Sequence, residues 1–218
     1  MTTVSYAQRF EDLYLLRCFG ERSKGFYIDI GSGHPVYDNM SLAFYLKGWH
    51  GVTVEPNPWL AQLTRAVRLR DRHVEGVVGK ASGTATFHVV HEFHGLSTTI
   101  ADHAAMAQTQ FSRAADTITV PVTTLRELCV QQQVPDAFEF LKVDVEGAEP
   151  DVLLNGDFGA FRPQVIVVEA LELPVLTCGK RSYKRRAPRG LHKGPPRAPV
   201  EKSGMLSWRL AQKKLSQD

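Results

Sequence analysis

Short apolar runs alternate with helical periodicities along most of the chain. Phe26-Tyr27-Ile28-Asp29-Ile30 is a β-prone run closed by Gly31, and Leu42, Tyr45 and Leu46 then fall on one face of a helix that opens near Asp38 or Asn39. Gly48 suits that helix's C-terminal end. Val52-Thr53-Val54-Glu55 predicts the next strand, and Asn57-Pro58 supplies a cap and first turn for a helix with Leu60, Leu63 and Val67 at i, i+3 and i+7. Upstream, Ser5 and Gln8 at capping-box spacing predict an N-terminal helix carrying Phe10, Leu13 and Leu16.

The same reading continues with a strand at 73–78, a hairpin-like pair near 84–90 and a strand near 117–122. A Thr124/Glu127 capping box opens a helix with Leu125, Leu128 and Cys129, the last a core position. Then come the strand Phe138–Val145, a helix near 149–155 with Pro150 early and Gly156 after it, and the apolar run Val165–Glu169. Near-continuous apolar strands separated by helices predict an α/β fold with a mostly parallel sheet and helices on both faces. Ligands of such sheets bind at the carboxyl ends of the strands.

The pattern stops after Leu173. Residues 180–218 hold four prolines, scattered Lys and Arg, and one apolar cluster of Met205, Leu206, Trp208 and Leu210, in which no strand is read. Charge changes at the same place: residues 1–179 carry 14 Lys and Arg against 21 Asp and Glu, net −7, whereas 180–218 carry 12 against 2, net +10. The expected organisation is a domain over 1–173 and a basic, disordered tail over 174–218. At 218 residues, 43% hydrophobic and 22% charged, the chain fits one soluble globular domain and not a wholly disordered or coiled-coil protein. Cys18, Cys129 and Cys178 are far apart, so neither a disulfide framework nor a thiolate zinc site is expected. Residues 1–16 read as neither signal peptide nor membrane anchor, and the expected location is cytoplasmic.

Candidate chemistry sits at the strand ends. Asp29-Ile30-Gly31-Ser32-Gly33 closes the first strand, where two glycines let the backbone approach a ligand closely. A dinucleotide fingerprint would need glycine where Val36 stands; a P-loop at Gly79-Lys80 would need glycine at Val74 and Ser or Thr at Ala81. An acid ahead of the glycines suits a ligand bearing an amino group and a sulfonium better than a pyrophosphate. Glu55, at the end of the second strand, can accept hydrogen bonds from both hydroxyls of a ribose. In Lys142-Val143-Asp144-Val145-Glu146 the three charges share one face of an extended strand over about 13 Å. Such charges within an apolar strand are costly unless paired or functional. A glycosidase-like or metal-binding carboxylate pair is a lesser reading of Asp144 and Glu146. His88, His91 and His94 recur every third residue, a spacing that does not keep side chains on one face of a strand, so no metal site is expected.

Taken together, these segments resemble the FkbM family of S-adenosylmethionine-dependent methyltransferases. The resemblance is carried by Ser5-Tyr6-Ala7-Gln8 with Glu11-Asp12, Gly25–Gly31, Phe44-Tyr45 with Gly48-Trp49, Val54-Glu55-Pro56, Gly95-Leu96-Ser97-Thr98 and Leu141–Glu149, spanning about residues 5–172. It implies a class I, Rossmann-like methyltransferase fold with S-adenosylmethionine as cofactor and O-methylation of a sugar, glycoconjugate or secondary-metabolite hydroxyl. It also implies that Asp29, Gly31 and Gly33 hold the methionine end of the cofactor, that Glu55 holds its ribose, and that Asp144 and Glu146 face the methyl group or acceptor. The general base is then one of Asp144, Glu146 and His94. The family's closing antiparallel strand pair is expected to be missing, as from a truncated or frame-shifted tail. The alternatives are an inactive methyltransferase and a module whose basic tail contacts nucleic acid or an anionic membrane. Two aromatic residues, Tyr183 and Trp208, are too few within 180–218 to favour nucleic acid as a partner.

Overall fold

A computed structural model describes residues 4–90, 97–100, 115–170 and 207–211. The described elements run α1 (Glu11–Phe19), β1 (Phe26–Ile30), α2 (Leu42–Leu46), β2 (His50–Val54), α3 (Pro58–Val67), β3 (Arg72–Val74), β4 (Val77–Val78), β5 (Gly83–Val90), β6 (Ala115–Thr123), α4 (Leu125–Gln131), β7 (Ala137–Val143), α5 (Glu149–Leu154), β8 (Arg162–Ala170) and β9 (Ser207–Ala211). The main sheet has the order β3-β2-β1-β7-β8-β9, with every pairing parallel except β8 with β9. This is the expected α/β architecture. Strands β4, β6 and β5, in that order, form a small second sheet, and Val78 of β4 packs into the core under the main sheet.

Period-two alternation in β1 and β7 sends side chains to two cores. Phe26, Ile28, Ile30, Leu141 and Val143 pack with Leu125, Leu128 and Cys129 of α4 and Val152 of α5. On the opposite face Tyr27 and Phe140 pack with Leu15 and Phe19 of α1, Phe44 of α2 and the fully buried Trp49. Asp29 and Lys142 belong to this second face by the same alternation, and they are Cα partners in the β1/β7 register. The sheet thus carries a polar pair at its centre, one residue short of the carboxyl ends.

Several local expectations are corrected. Ser5 does not cap α1. Its hydroxyl donates to Asp12 Oδ1 at 2.6 Å, and the helix opens at Glu11 without a side-chain cap. The helix after Asn39 is shorter than predicted and turns differently, leaving Leu42 and Tyr45 buried and Leu46 exposed. In α3 the buried face runs through Leu60, Ala61 and Thr64, and just past its end it is Arg68 that is buried while Val67 is exposed. Arg68 is accommodated because Asp71, Tyr27, Ser41, Asn39 and the Pro35 carbonyl accept from its guanidinium, with Nε 3.0 Å from Asp71 Oδ2. The 73–78 run divides at Gly76 (φ +154°) into β3 and β4, one in each sheet. The residues near 84–90 form one long strand, β5, whose antiparallel partner is β6 and not a neighbouring half of a hairpin. The Asn57 cap and the Thr124/Glu127 capping box form as predicted.

The strandless reading of 174–218 is also corrected. Ser207–Ala211 pairs antiparallel with β8, Glu169 opposite Trp208. The unpaired edge of β8 offers a row of backbone donors and acceptors, and the Ser-Trp-Arg-Leu-Ala segment alternates with the period of a strand. No described helix is long and apolar enough to cross a membrane.

Candidate active site

Strand order reverses at β1, whose neighbours are β2 on one side and β7 on the other. Connections from adjacent strands leave in opposite directions at such a point and open a crevice above the carboxyl ends. A cavity of about 910 Å³ lies there, lined by Gly31, Ser32, Gly33, Glu55, Lys142, Asp144 and Glu146 among others. Its size is that of a site for a nucleoside-sized ligand with room beside it.

The turn after β1 requires its glycines for different reasons. Gly31 has φ +71°, and a Cβ on it would stand 1.6 Å from the Asp144 carbonyl oxygen, so β1 and the end of β7 touch through bare backbone. Gly33, at φ +61°, has open space where a Cβ would be. Its N–H donates to Glu55 Oε2 at 2.9 Å, and the Asn57 N–H donates to Glu55 Oε1 at 2.9 Å. Glu55 therefore links the first and second strand ends. Burial pushes its carboxyl up to about 7, against the pull of those two N–H donors.

Asp29 is fully buried and does not line the cavity. Its Oδ1 is 3.2 Å from Lys142 Nζ, an ion-pair contact without hydrogen-bond alignment. The Lys142 ammonium lies equally close to Asp144 Oδ2, at 3.2 Å, and donates to the Gly31 carbonyl at 2.7 Å. Burial opposes its charge, but Asp29 and Asp144 outweigh burial and hold its pKa above the usual lysine range.

Asp144 and Glu146 both reach the cavity wall, though not as two residues of one extended face. β7 ends at Val143, and the chain turns through Glu146 (φ +53°) and Gly147 (φ +106°). The buried Glu149 holds this turn by accepting from the Val145 and Gly147 N–H groups, both at 3.1 Å. Thr98 ties the turn to β5: its hydroxyl donates to the Glu146 carbonyl, while its backbone exchanges hydrogen bonds with His88. The Glu146 carboxyl is pushed up to about 8, chiefly by burial and then by the neighbouring charges of Asp144 and Glu149. Of the sequence candidates, Gly31, Gly33, Glu55, Asp144 and Glu146 are brought together on one wall, Asp29 lies off it against Lys142, and His94 is outside the described residues. Among the described residues no group of three His, Cys, Asp or Glu could hold a metal ion.

The sequence reading missed an aromatic group on the same wall. His34, Tyr37 and Trp59 all line the cavity, with the His34 ring 4.7 Å from that of Tyr37 and 6.3 Å from that of Trp59. Trp59 is 56% exposed although it sits in the first turn of an otherwise amphipathic helix. That position, four residues after Glu55 and immediately after the Asn57-Pro58 cap, is the sequence signal that could have placed it on the cavity wall.

The sequence profile of the methyltransferase FkbM domain matches residues 29–177, from the buried aspartate of β1 to beyond β8. No curated protein and no solved structure matches the chain. With more than half of its length matched, and the cavity placed where the fold puts its ligand, the chain belongs to the FkbM methyltransferase family.

Proposed function

We propose that the protein is an S-adenosylmethionine-dependent O-methyltransferase acting on a hydroxyl of a sugar, glycoconjugate or secondary metabolite. The observation that carries this reading is the charge of the cavity wall. Among the described residues that line it are six acids, Glu11, Asp38, Glu55, Asp144, Glu146 and Asp151, of which burial holds Glu146 mostly protonated at neutral pH, and no Lys or Arg but Lys142. A pyrophosphate would be repelled there, whereas a nucleoside bearing a sulfonium and an ammonium is attracted. Glu55 keeps lone pairs beyond the two N–H groups it accepts, which fits a ribose diol. Open space at Gly33 fits close approach of a ligand to the backbone.

S-adenosylmethionine, when bound, supplies a methyl group on a positively charged sulfur. The chain's own residues then have two tasks, to align the acceptor oxygen and to take its proton. Glu146 suits the second. A carboxyl pushed up to about 8 is a stronger base than an ordinary glutamate, and it stands on the wall in a turn held by Glu149 and Thr98. Asp144 Oδ2 is engaged by the Lys142 ammonium, so its role is to line and charge the wall. His94 remains a candidate base on sequence grounds.

The catalytic unit in this reading is residues 1–173, close to the end of the family match at 177. Within the basic 174–218 segment, Ser207–Ala211 adds one strand to the sheet edge. A reducing, cytoplasmic setting fits the free Cys18 and Cys129. Calorimetric titration of S-adenosylmethionine and S-adenosylhomocysteine tests the assignment, with Glu55→Ala as control. Micromolar binding that is lost in the variant is the expected result, and a folded protein that binds neither compound overturns it.

A further inference from the structure

The N-terminal motif Ser5-Tyr6-Ala7-Gln8 with Glu11-Asp12 enters the reading above only through the charge of Glu11, and its two acids are treated very differently by the fold. Asp12 is fully buried and saturated. Ser5 Oγ and the Leu13 N–H donate to its Oδ1 at 2.6 and 2.9 Å, and the Tyr6 N–H donates to Oδ2 at 2.6 Å. These bonds fold residues 5–8 back against the start of α1, where Ala7, Gln8 and Glu11 become part of the cavity wall.

Glu11 is not saturated. It is 6% exposed, its Oε2 accepts the Arg9 N–H at 3.0 Å, and its buried Oε1 accepts no hydrogen bond among the described residues. An unpaired carboxylate oxygen out of water is expensive, and on a cavity wall that expense is recovered when a ligand donates to it. Ser32, in the β1 turn on the same wall, is also buried, and its hydroxyl has no partner among the described residues. A carboxylate only accepts hydrogen bonds, whereas a hydroxyl also donates. The two therefore complement a zwitterion, an ammonium at Glu11 and a carboxylate at Ser32. Asp29, expected with Gly31 and Gly33 at the methionine end, lies off the wall, its Oδ1 3.2 Å from the Lys142 ammonium.

We propose that Glu11 is a cofactor-binding residue that accepts from the ammonium group of the cofactor's amino-acid end, with the Ser32 hydroxyl donating to the carboxylate of that end. The inference rests on the cofactor reading above and adds to it a residue from the N-terminal segment.

The test compares two ligands in the full chain by calorimetry: S-adenosylhomocysteine, and 5′-methylthioadenosine, which keeps the nucleoside and lacks the amino-acid end. Glu11→Gln should weaken S-adenosylhomocysteine by about tenfold or more, as loss of a charge-assisted hydrogen bond does, and leave 5′-methylthioadenosine unchanged. Ser32→Ala should show the same selectivity with a smaller loss. A Glu11→Gln protein that binds both ligands as the wild type does, or loses both equally, overturns the proposal. Binding of neither ligand by the wild type would instead overturn the cofactor reading itself, and this inference with it. Should the variant not fold, the wild type decides: S-adenosylhomocysteine must bind about tenfold or more tightly than its analogue with hydrogen in place of the amino group, and equal affinities refute the role of Glu11.

Discussion

Lys142 on β7 and Asp29 on β1 are direct register partners, and the lysine ammonium lies 3.2 Å from the Oδ1 of the aspartate, which itself lies off the cavity wall that Lys142 lines. Both are buried, Asp29 completely. The pair joins the two strands whose carboxyl ends carry Gly31 and Asp144. Removing one partner strands the other charge in a low-dielectric interior. Lys142→Met is expected to destabilise the protein by about 3–5 kcal/mol in urea unfolding. Asp29→Asn combined with Lys142→Met should recover part of that loss, because contacting residues in one network are not additive. Additive losses in the double variant would show that the pair is not coupled.

The two glycines of the β1 turn should respond unequally. Gly31→Ala combines a positive φ with a Cβ placed on the Asp144 carbonyl oxygen, so it should lower thermal stability strongly and abolish cofactor binding together. Gly33→Ala meets no neighbour and carries only the left-handed backbone cost, about 1–2 kcal/mol, while its methyl group enters the space where a ligand approaches. It should remain folded and bind cofactor weakly. Thermal melts paired with S-adenosylhomocysteine titrations separate the two cases.

Glu146 makes stability fall with pH. Its carboxyl is raised from 4.5 to about 8 in the fold, so between those values the folded state holds a proton that the unfolded state has lost. Stability therefore decreases as pH rises through that window and levels off above it. Glu55, at about 7, acts in the same direction up to its own pKa, whereas His73, lowered to about 4, makes stability rise only up to about 6.5. Glu146→Gln should match the wild type below about pH 4 and melt at a higher temperature at about pH 8 and above. Parallel pH profiles for the two proteins would show that Glu146 does not titrate in this range.

Affinity for a cationic cofactor should change in the opposite direction. A positive sulfonium favours the ionised forms of Glu55 and Glu146, whose carboxyls titrate at about 7 and about 8, so binding releases protons and tightens as pH rises through that range. The uncharged thioether of S-adenosylhomocysteine should show a shallower dependence. Calorimetry in buffers of different ionisation heat measures the released protons directly, and proton uptake in their place would refute the assignment.

Much of this architecture is legible in the chain itself. Alternating apolar runs and helical periods, with Gly31, the Asn57-Pro58 cap and the Thr124/Glu127 capping box as punctuation, determine an α/β fold with a mostly parallel sheet, because burial and capping are local demands that leave a local pattern. Acids and glycines at strand ends likewise mark where chemistry gathers in such a sheet.

Tertiary structure decided which of those residues line the cavity. Asp29 and Lys142 look like site residues in sequence, but partners on adjacent strands meet only when register is set: Lys142 then lines the cavity, and Asp29 lies off it against the lysine ammonium. The buried Arg68 in place of Val67 depends on acceptors gathered from Tyr27, Pro35, Asn39, Ser41 and Asp71, a set no local window contains. Glu146 leaves the face of Asp144 because Glu149 and Thr98 hold a left-handed turn there. The closing strand β9 is read only against the open edge of β8, since a five-residue alternation gains its hydrogen bonds from the partner it finds and not from its own sequence.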